Sequence, residues 1–191
     1  MALFSFRRLD VDPLAVAMAG VKLGERLLQI GVDDAALAGQ IAAKTGLSGS
    51  ATHIVASDDE AVRVNRGAKK AGVLVEVRVG PLDRLPFDDS SFDIVVVHSA
   101  SGQLASATSD DRVGALRDAR RVLRPGGRLI AIEPGTATGL RSVLRSAPAA
   151  QGPYDASGGT GEALRTAGFA AARDLGDREG LKFVEGLKAA R

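Results

Sequence analysis

The chain has 191 residues, of which 45% are hydrophobic and only 4% are aromatic. This length suits one domain with a full core and is short for two. The formal net charge of +2 is the difference between 25 basic and 23 acidic residues, and so small an imbalance does not indicate a nucleic-acid partner. The sequence has no cysteine, which excludes disulfides and thiolate chemistry and fits a reducing compartment.

The start of the chain shows no targeting pattern. Residues Met1–Phe6 are apolar, but the run is too short for the core of a signal peptide. No apolar run in the sequence approaches the length that spans a membrane. We therefore expect a cytoplasmic protein with no membrane partner.

Short apolar runs alternate with helical periodicity along most of the chain. The runs predict strands at Arg26–Ile30, Thr52–Ala56, Val73–Val79, Asp93–His98 and Arg128–Glu133. The periodic segments predict helices at Ala35–Thr45, Asp59–Ala71 and Asp110–Leu123, and Ser57 with Glu60 forms a capping box before the second of these. Continuous apolar strands alternating with helices predict an α/β fold with a doubly wound, mostly parallel sheet and helices on both faces.

The C-terminal third has a different composition. Gly135–Gly161 is rich in Gly, Ala, Ser and Pro, and we expect a variable loop or lid that includes a short helix at Gly139–Arg145. A helix at Gly161–Ala167 follows, and then strands near Ala170–Leu175 and Leu181–Leu187 that predict an antiparallel hairpin at the sheet edge. We expect one domain over residues 1–191, beginning with an N-terminal helical segment at 1–21.

Ligands of open parallel sheets bind beyond the carboxyl ends of the strands, where the strand order reverses. Asp58 and Asp59 follow the second strand and are placed to accept hydrogen bonds from ribose hydroxyls, although capping of the next helix explains them equally well. His98 ends the fourth strand, where it is placed either to act as a base near neutral pH or to make a structural hydrogen bond. We expect His53 to be structural, at the opposite end of the sheet.

Two motifs occur in order near the fourth and fifth strands. The residues from Leu85 to Val96 read LPFDDSSFDIVV, and those from Arg121 to Leu129 read RVLRPGGRL. Together they resemble the class I S-adenosylmethionine-dependent methyltransferases, in particular the small-molecule branch that includes the ubiquinone and menaquinone biosynthesis methyltransferases. The resemblance extends from about Lys22 to Glu133. It implies a Rossmann-like, seven-stranded sheet, S-adenosylmethionine as cofactor and a small-molecule acceptor.

The first loop departs from the pattern that the resemblance implies, which is an acid, one residue and then three glycines at alternate positions. Residues Gln29 to Ala35 read QIGVDDA, so only Gly31 is kept, Gln29 replaces the acid, and Asp33 and Ala35 replace the other glycines. We expect the Asp33 carboxylate to lie near the methionine end of the cofactor. Repulsion of the cofactor's own carboxylate there would cost on the order of 1–4 kcal/mol.

The resemblance also implies an acid after the third strand, in contact with adenine. This chain has Gly80-Pro81 there, with Asp83 as a substitute two residues on. The implied cofactor-binding residues are Gly31, Asp33, Asp58, Asp59, Asp83, Leu85 and His98, with His98 also the candidate catalytic residue. No His/Cys cluster suggests a metal site.

Two functional classes therefore stay open. The first is a methyltransferase that acts on a small molecule. The second is a methyltransferase-like domain that has weakened or lost cofactor binding and acts as a structural or regulatory partner, which leaves a protein partner or a homo-oligomer open as well.

Overall fold

A computed structural model describes residues 13–100, 107–135, 159–178 and 180–191. The helices are α1 (Pro13–Met18), α2 (Ala35–Ala43), α3 (Asp58–Ala71), α4 (Ser109–Val122) and α5 (Gly159–Thr166). The strands are β1 (Arg26–Ile30), β2 (Ser50–Val55), β3 (Glu76–Val79), β4 (Phe92–His98), β5 (Leu123–Pro134), β6 (Ala171–Arg178) and β7 (Leu181–Leu187). Among the residues described, strands and helices alternate as the sequence predicts.

The strands form one seven-stranded sheet in the order β3-β2-β1-β4-β5-β7-β6. Strands β1 to β5 are parallel, and β7 is antiparallel to both of its neighbours. The predicted Rossmann-like, mostly parallel sheet with an antiparallel C-terminal hairpin is therefore confirmed. The hairpin is placed so that β7 lies between β5 and β6, and β6 forms the edge.

The apolar strands are explained by burial of the sheet on both faces. On β4, Val95 and Val97 pack into a cluster with Leu116 of α4. Ile94 and Val96 of the same strand pack into a second cluster with α1 and α2. Because successive side chains of a strand point to opposite faces, a strand that is covered twice needs an uninterrupted apolar run.

The ends of α3 follow the predicted capping pattern. The Ser57 hydroxyl accepts a hydrogen bond from the Glu60 backbone N–H, and the Glu60 carboxylate accepts one from the Ala56 backbone N–H at 2.9 Å. Gly72 ends the helix with a left-handed φ of 70°, a conformation that glycine adopts without a steric cost. Local sequence alone therefore determines where this helix begins and ends.

Two strands begin at least three residues away from their predicted first residues. β3 begins at Glu76 rather than Val73, since the Val73 N–H still bonds to the Ala68 carbonyl at the end of α3. β5 begins at Leu123 rather than Arg128. Its residues 124–127 bulge out between Leu123, which pairs with Phe92, and Arg128, which pairs with Ile94.

Charged side chains join the amino-terminal ends of β1, β4 and β5. The Asp93 carboxylate binds Arg26 at 3.2 Å and Arg124 at 2.6 Å, and Arg128 binds Glu25 at 2.7 Å. Burial alone would raise the pKa of Asp93, but the hydrogen bonds from Arg26 and Arg124 lower it to about 2. This end of the sheet is therefore held by an ionic cluster, which consists of Glu25, Arg26, Asp93, Arg124 and Arg128.

Several predicted segments lie outside the described residues. These are the helix at Gly139–Arg145, almost all of the variable segment Gly135–Gly161, and residues 1–12 of the N-terminal segment, of which α1 is the described part. The division of the chain into one domain with these two segments stays a prediction. No helix in the described ranges is long and apolar enough to cross a membrane.

Candidate functional site

The strand order reverses between β1 and β4. From β1 the chain proceeds outward to β2 and β3, and then returns to β4 and β5 on the other side. In parallel α/β sheets this arrangement opens a crevice at the carboxyl ends of the two central strands. The walls of the crevice are the first loop, residues 31–34 after β1, and residues 99–100 after β4.

The first loop is shaped by one glycine and one helix cap. Gly31 has a φ of +71°, which explains why this glycine of the motif is kept. Its backbone N–H donates to the Ile54 carbonyl at 2.9 Å. Asp34 is the N-cap of α2, and its carboxylate accepts hydrogen bonds from the Ala36 and Leu37 backbone N–H groups at 2.7 and 3.2 Å.

Asp33 belongs to the first loop, and its side chain reaches the other wall of the crevice. Its carboxylate accepts a hydrogen bond from the Ala100 backbone N–H at 2.8 Å. Its backbone carbonyl accepts another from the Arg63 guanidinium, also at 2.8 Å. The side chain therefore bridges the crevice loops at the point where a ligand of this fold class would bind, and its expected effect on the cofactor stays a prediction.

Asp58 and Asp59 both lie in the first turn of α3, directly after the N-cap Ser57. Both side chains are exposed. Carboxylates in this position stabilise a helix because they face the positive end of its dipole. Both residues therefore lie at the start of the helix, as the capping interpretation requires. The ribose contact of Asp58 and Asp59 stays a prediction.

The two predicted cofactor residues between β3 and β4 lie in different surroundings. The Asp83 side chain is exposed. Leu85 is 3% exposed and belongs to the core cluster on the α4 side of the sheet, and its backbone N–H donates to the Asp118 carboxylate at 2.6 Å. The core thus explains why Leu85 is apolar, and the cofactor contacts of Asp83 and Leu85 stay predictions.

His98 lies at the end of β4, and its ring is enclosed by the protein. The residue is 1% exposed, and its Nε2 lies 2.8 Å from the Gln29 Oε1. Burial lowers the pKa of His98 to about 4, against the opposing charge of Asp34. A general base must reach the proton that it removes, so this geometry favours the structural interpretation of His98 over the catalytic one.

His53 is structural, but its predicted location was wrong. β2 begins at Ser50, so His53 lies within the strand, where it pairs with Gln29. It does not lie at the opposite end of the sheet. Its Nε2 lies 2.6 Å from the Gly31 carbonyl, and its ring stacks on that of His98 with the centroids 5.8 Å apart. Burial, with a smaller effect of the His98 charge, lowers the pKa of His53 to about 3, although the Gly31 hydrogen bond opposes this.

Gln29 is the functional candidate that sequence reasoning passed over. In the sequence it appears only as the residue that replaces the motif acid. In the structure it is fully buried, and its amide donates to the Ala38 carbonyl of α2 at 3.0 Å. The signal was present, since Gln29, His53 and His98 are polar residues within otherwise apolar strands, but only the pairing of β2, β1 and β4 brings the three together.

A small opening lies beside the crevice, below the ends of β4 and β5 and between α4 and α5. Its volume is about 30 Å³, which is room for one or two water molecules. The lining is mostly apolar, with Ser99, Arg112 and Thr160 as its polar members. Within the described ranges, no group of three or more His, Asp or Glu side chains is arranged to hold a metal ion.

Residues 28–131 match the profile of a family described as a methyltransferase domain. This match covers more than half of the chain. The chain belongs to this family. The matched region begins in β1 and ends in β5, so it contains both walls of the crevice, and the resemblance to class I methyltransferases is confirmed.

Relatives of the same kind are found among curated proteins. The chain is 34% identical over 120 residues to a ubiquinone/menaquinone biosynthesis C-methyltransferase of Idiomarina loihiensis, which covers 60% of this chain and 45% of the relative. A protein of Bordetella avium with the same description is 34% identical over 119 residues, or 62% of this chain and 44% of its own length. The chain thus spans less than half the length of these relatives.

Solved structures agree on the fold. A SAM-dependent methyltransferase from Aquifex aeolicus superimposes with a TM-score of 0.70 at 16% identity, over 91% of this chain and 87% of its own. The [4+2]-cyclase SpnF superimposes with a TM-score of 0.65 at 18% identity, over 93% of this chain and 80% of its own. Because this fold carries both kinds of protein, the structural likeness alone does not assign a reaction.

Proposed function

We propose that this chain binds S-adenosylmethionine in the crevice between β1 and β4 and transfers its methyl group to a small-molecule acceptor. The observation that carries the proposal is the family match over residues 28–131, which includes both loops of the crevice at the switch point of the sheet. The curated relatives with the same domain are described as C-methyltransferases. Their acceptors are not transferred to this chain, which matches less than half of their length.

The residues around the crevice suit the chemistry of this cofactor. S-adenosylmethionine offers mostly donors and positive charge: an ammonium, a sulfonium, ribose hydroxyls and the adenine amino group. The side chains of Asp58 and Asp83 are acceptors of that kind, and Gly31 shapes the first loop with a φ of +71°, a conformation that glycine adopts without strain. We assign the ribose to Asp58, the adenine to Asp83 and the methionine end to the neighbourhood of Asp33.

The cofactor supplies an electrophilic methyl group, and the chain's residues hold the reactants in place. Alignment of an acceptor atom with that methyl group supplies much of the rate of such a transfer. We assign no general base, since the ring of His98 is buried and its Nε2 is bonded to Gln29. We also propose a cytoplasmic location, which the absence of cysteine supports.

Titration calorimetry with S-adenosylmethionine and S-adenosylhomocysteine tests this proposal. We expect binding of both ligands in the micromolar to millimolar range. No heat at millimolar ligand would refute the proposal and support the alternative, a non-catalytic domain that acts as a structural or regulatory partner.

A matched pair of variants tests the ribose contact. Asp58→Asn removes the acceptor charge assigned to the ribose, whereas Asp59→Asn removes an equivalent charge from the same helical turn. Both changes weaken the helix dipole interaction to a similar extent. We expect Asp58→Asn alone to weaken S-adenosylhomocysteine binding, by about tenfold, and equal effects of the two variants would overturn the assignment of Asp58.

A further inference from the structure

The buried polar cluster below the first loop consists of Gln29, His53 and His98. The three side chains are at most 1% exposed. They come from three neighbouring strands, because Gln29 on β1 pairs with His53 on β2 and with Val96 on β4. His98 lies two residues beyond Val96, on the same face of the sheet.

The direction of each hydrogen bond in this cluster follows from its fixed acceptors. The Ala38 carbonyl can only accept, so the Gln29 amide nitrogen donates to it at 3.0 Å. The amide oxygen is then turned toward His98, which must carry its proton on Nε2 and donate at 2.8 Å. By the same reasoning, His53 carries its proton on Nε2 and donates to the Gly31 carbonyl at 2.6 Å.

Both rings are neutral in this arrangement. Neither Nδ1 atom has a hydrogen-bond partner within the described part of the chain, so a second proton on either ring would be an unpaired donor in the core. The Asp34 carboxylate at the end of the first loop is the charge that acts on the His98 ring.

The cluster is attached to both ends of the first loop. His53 holds the carbonyl of Gly31, where the loop leaves β1. Gln29 holds the carbonyl of Ala38 in the first turn of α2, and the Ala38 N–H in turn bonds to the carbonyl of Asp34, where the loop ends. The hydrogen bond of His98 is to Gln29, so His98 acts on the loop through Gln29.

We propose that Gln29 and His98 are a pair of positioning residues that hold the first loop in the shape that receives the cofactor. Gln29 stands at the position where the family pattern has an acid. The inference rests on the proposed function, because it concerns the same crevice. His98 contributes a fixed N–H and takes no proton from the substrate.

The proposal makes restoration of the motif acid harmful. Gln29→Glu replaces the donor to the Ala38 carbonyl with a carboxylate oxygen, so that two acceptors face each other in the core. It also places a carboxylate beside the His98 N–H, which favours the charged form of the ring and raises the pKa of His98. If the sequence departure at position 29 were a simple defect, the same change would improve cofactor binding.

Calorimetry with S-adenosylhomocysteine on the full chain distinguishes these outcomes. We expect Gln29→Glu to bind about tenfold more weakly than the natural chain, with an affinity that changes between about pH 5.5 and about pH 8.5, while the natural chain gives a flat profile. His98→Gln, whose amide can donate from the position of Nε2, should stay within about threefold of the natural affinity, whereas His98→Leu should lose about tenfold. Unchanged or tighter binding by Gln29→Glu would overturn the proposal.

Two measurements need no cofactor and keep the inference separate from the proposed function. With only two histidines in the chain, imidazole ¹⁵N shifts can report both tautomers, and we expect Nε2–H for each. Amide hydrogen exchange of Gly31, Ala36 and Leu37 should be faster in Gln29→Glu and His98→Leu than in the natural chain and in His98→Gln. A natural chain that binds no cofactor refutes the proposed function, whereas normal binding with unchanged exchange in the variants refutes only the positioning pair.

Discussion

The two ends of the parallel strands are built from different chemistry. At the amino-terminal ends, the ionic cluster joins β1, β4 and β5 through carboxylates and guanidinium groups that are partly exposed. At the carboxyl ends, the polar groups beneath the crevice are neutral and fully buried, in the cluster of Gln29, His53 and His98. The first end can tolerate water because its groups are charged. The second end is closed to solvent and depends on the hydrogen bonds that Gln29, His53 and His98 make with one another and with the backbone.

This difference between the two ends explains why the chain resembles its family clearly although its first motif is altered. The two motifs that carry the resemblance include Asp93, Arg124 and Gly127, which all lie at the amino-terminal end. A Cβ on Gly127 would lie 2.9 Å from the Arg124 carbonyl and 3.0 Å from that of Asp93, so the bulge in β5 requires glycine there. These residues of the two motifs therefore hold the amino-terminal end of the sheet, and none of them belongs to the altered first loop.

The largest expected effect is a loss of unfolding free energy at acidic pH, and it arises at the crevice end. His53 and His98 have folded-state pKa values of about 3 and about 4, below the ordinary value of 6.5. Between these values the unfolded chain binds protons that the folded chain does not, so stability falls as the pH falls. The slope is about 1.4 kcal/mol per pH unit for each histidine, or up to about 4 kcal/mol between pH 6.5 and pH 5.

Urea unfolding followed by circular dichroism at stepped pH measures this slope. His98→Gln should lower it by about half in this interval, because one of the two titrating rings is lost. A natural chain with constant stability from pH 6.5 to pH 5 would contradict the assignment of buried, neutral histidines at this end.

The next effect tests how closely the helices approach behind the first loop. A Cβ on Gly67 of α3 would lie 1.9 Å from the carbonyl oxygen of Ala35, the first residue of α2. Gly67→Ala must therefore push α2 away, and we expect a loss of about 3 kcal/mol of unfolding free energy together with weaker cofactor binding.

Gly114→Ala is the matched control for this change. Gly114 is also inside a helix, α4, but a Cβ there would meet nothing within 4 Å. We expect a gain of up to about 1 kcal/mol, because alanine favours helix more than glycine does. Equal effects of the two substitutions on thermal unfolding would show that the close crossing of α2 and α3 is unimportant.

The amino-terminal end should respond to a more acidic range. The folded-state pKa of Asp93 is about 2, below the ordinary 3.8, so its contribution is present above about pH 4 and is lost as the pH falls toward 2. Asp93→Asn should cost about 2 kcal/mol at neutral pH without changing cofactor affinity. Asp89→Asn is the control, since that side chain is 76% exposed in its pair with Arg121 and should cost less than about 1 kcal/mol.

The smallest effect in free energy concerns the bridge across the crevice. Asp33→Gly removes the carboxylate that accepts from the Ala100 N–H and should tighten S-adenosylhomocysteine binding by about tenfold. Asp33→Asn keeps the bulk without the charge, so calorimetry on both variants separates repulsion from steric obstruction. Unchanged affinity in both would refute the expected cost of Asp33.

The two ends of the sheet also differ in how much of their structure the sequence predicted. The order of strands and helices, the cap at Ser57 and the end of α3 at Gly72 all follow from local patterns, and the structure confirms them. The motifs around Asp93 and Arg124 were enough to predict the family. In contrast, His98 was a candidate base and His53 was predicted at the wrong end of the sheet. The register and the burial of a strand depend on its neighbours in the sheet and cannot be inferred from its own residues.

By itself, the sequence determined the class of fold, the family and the position of the crevice, since alternating elements and glycine turns depend on neighbours along the chain. Only the tertiary structure decided what the departures in the first loop do. Gln29, His53 and His98 are far apart in the chain, and strand pairing places them beneath Gly31 in a space that is closed to solvent. There each hydrogen bond is fixed by the one acceptor available to it, which is why a glutamine at position 29 has a defined partner on each side.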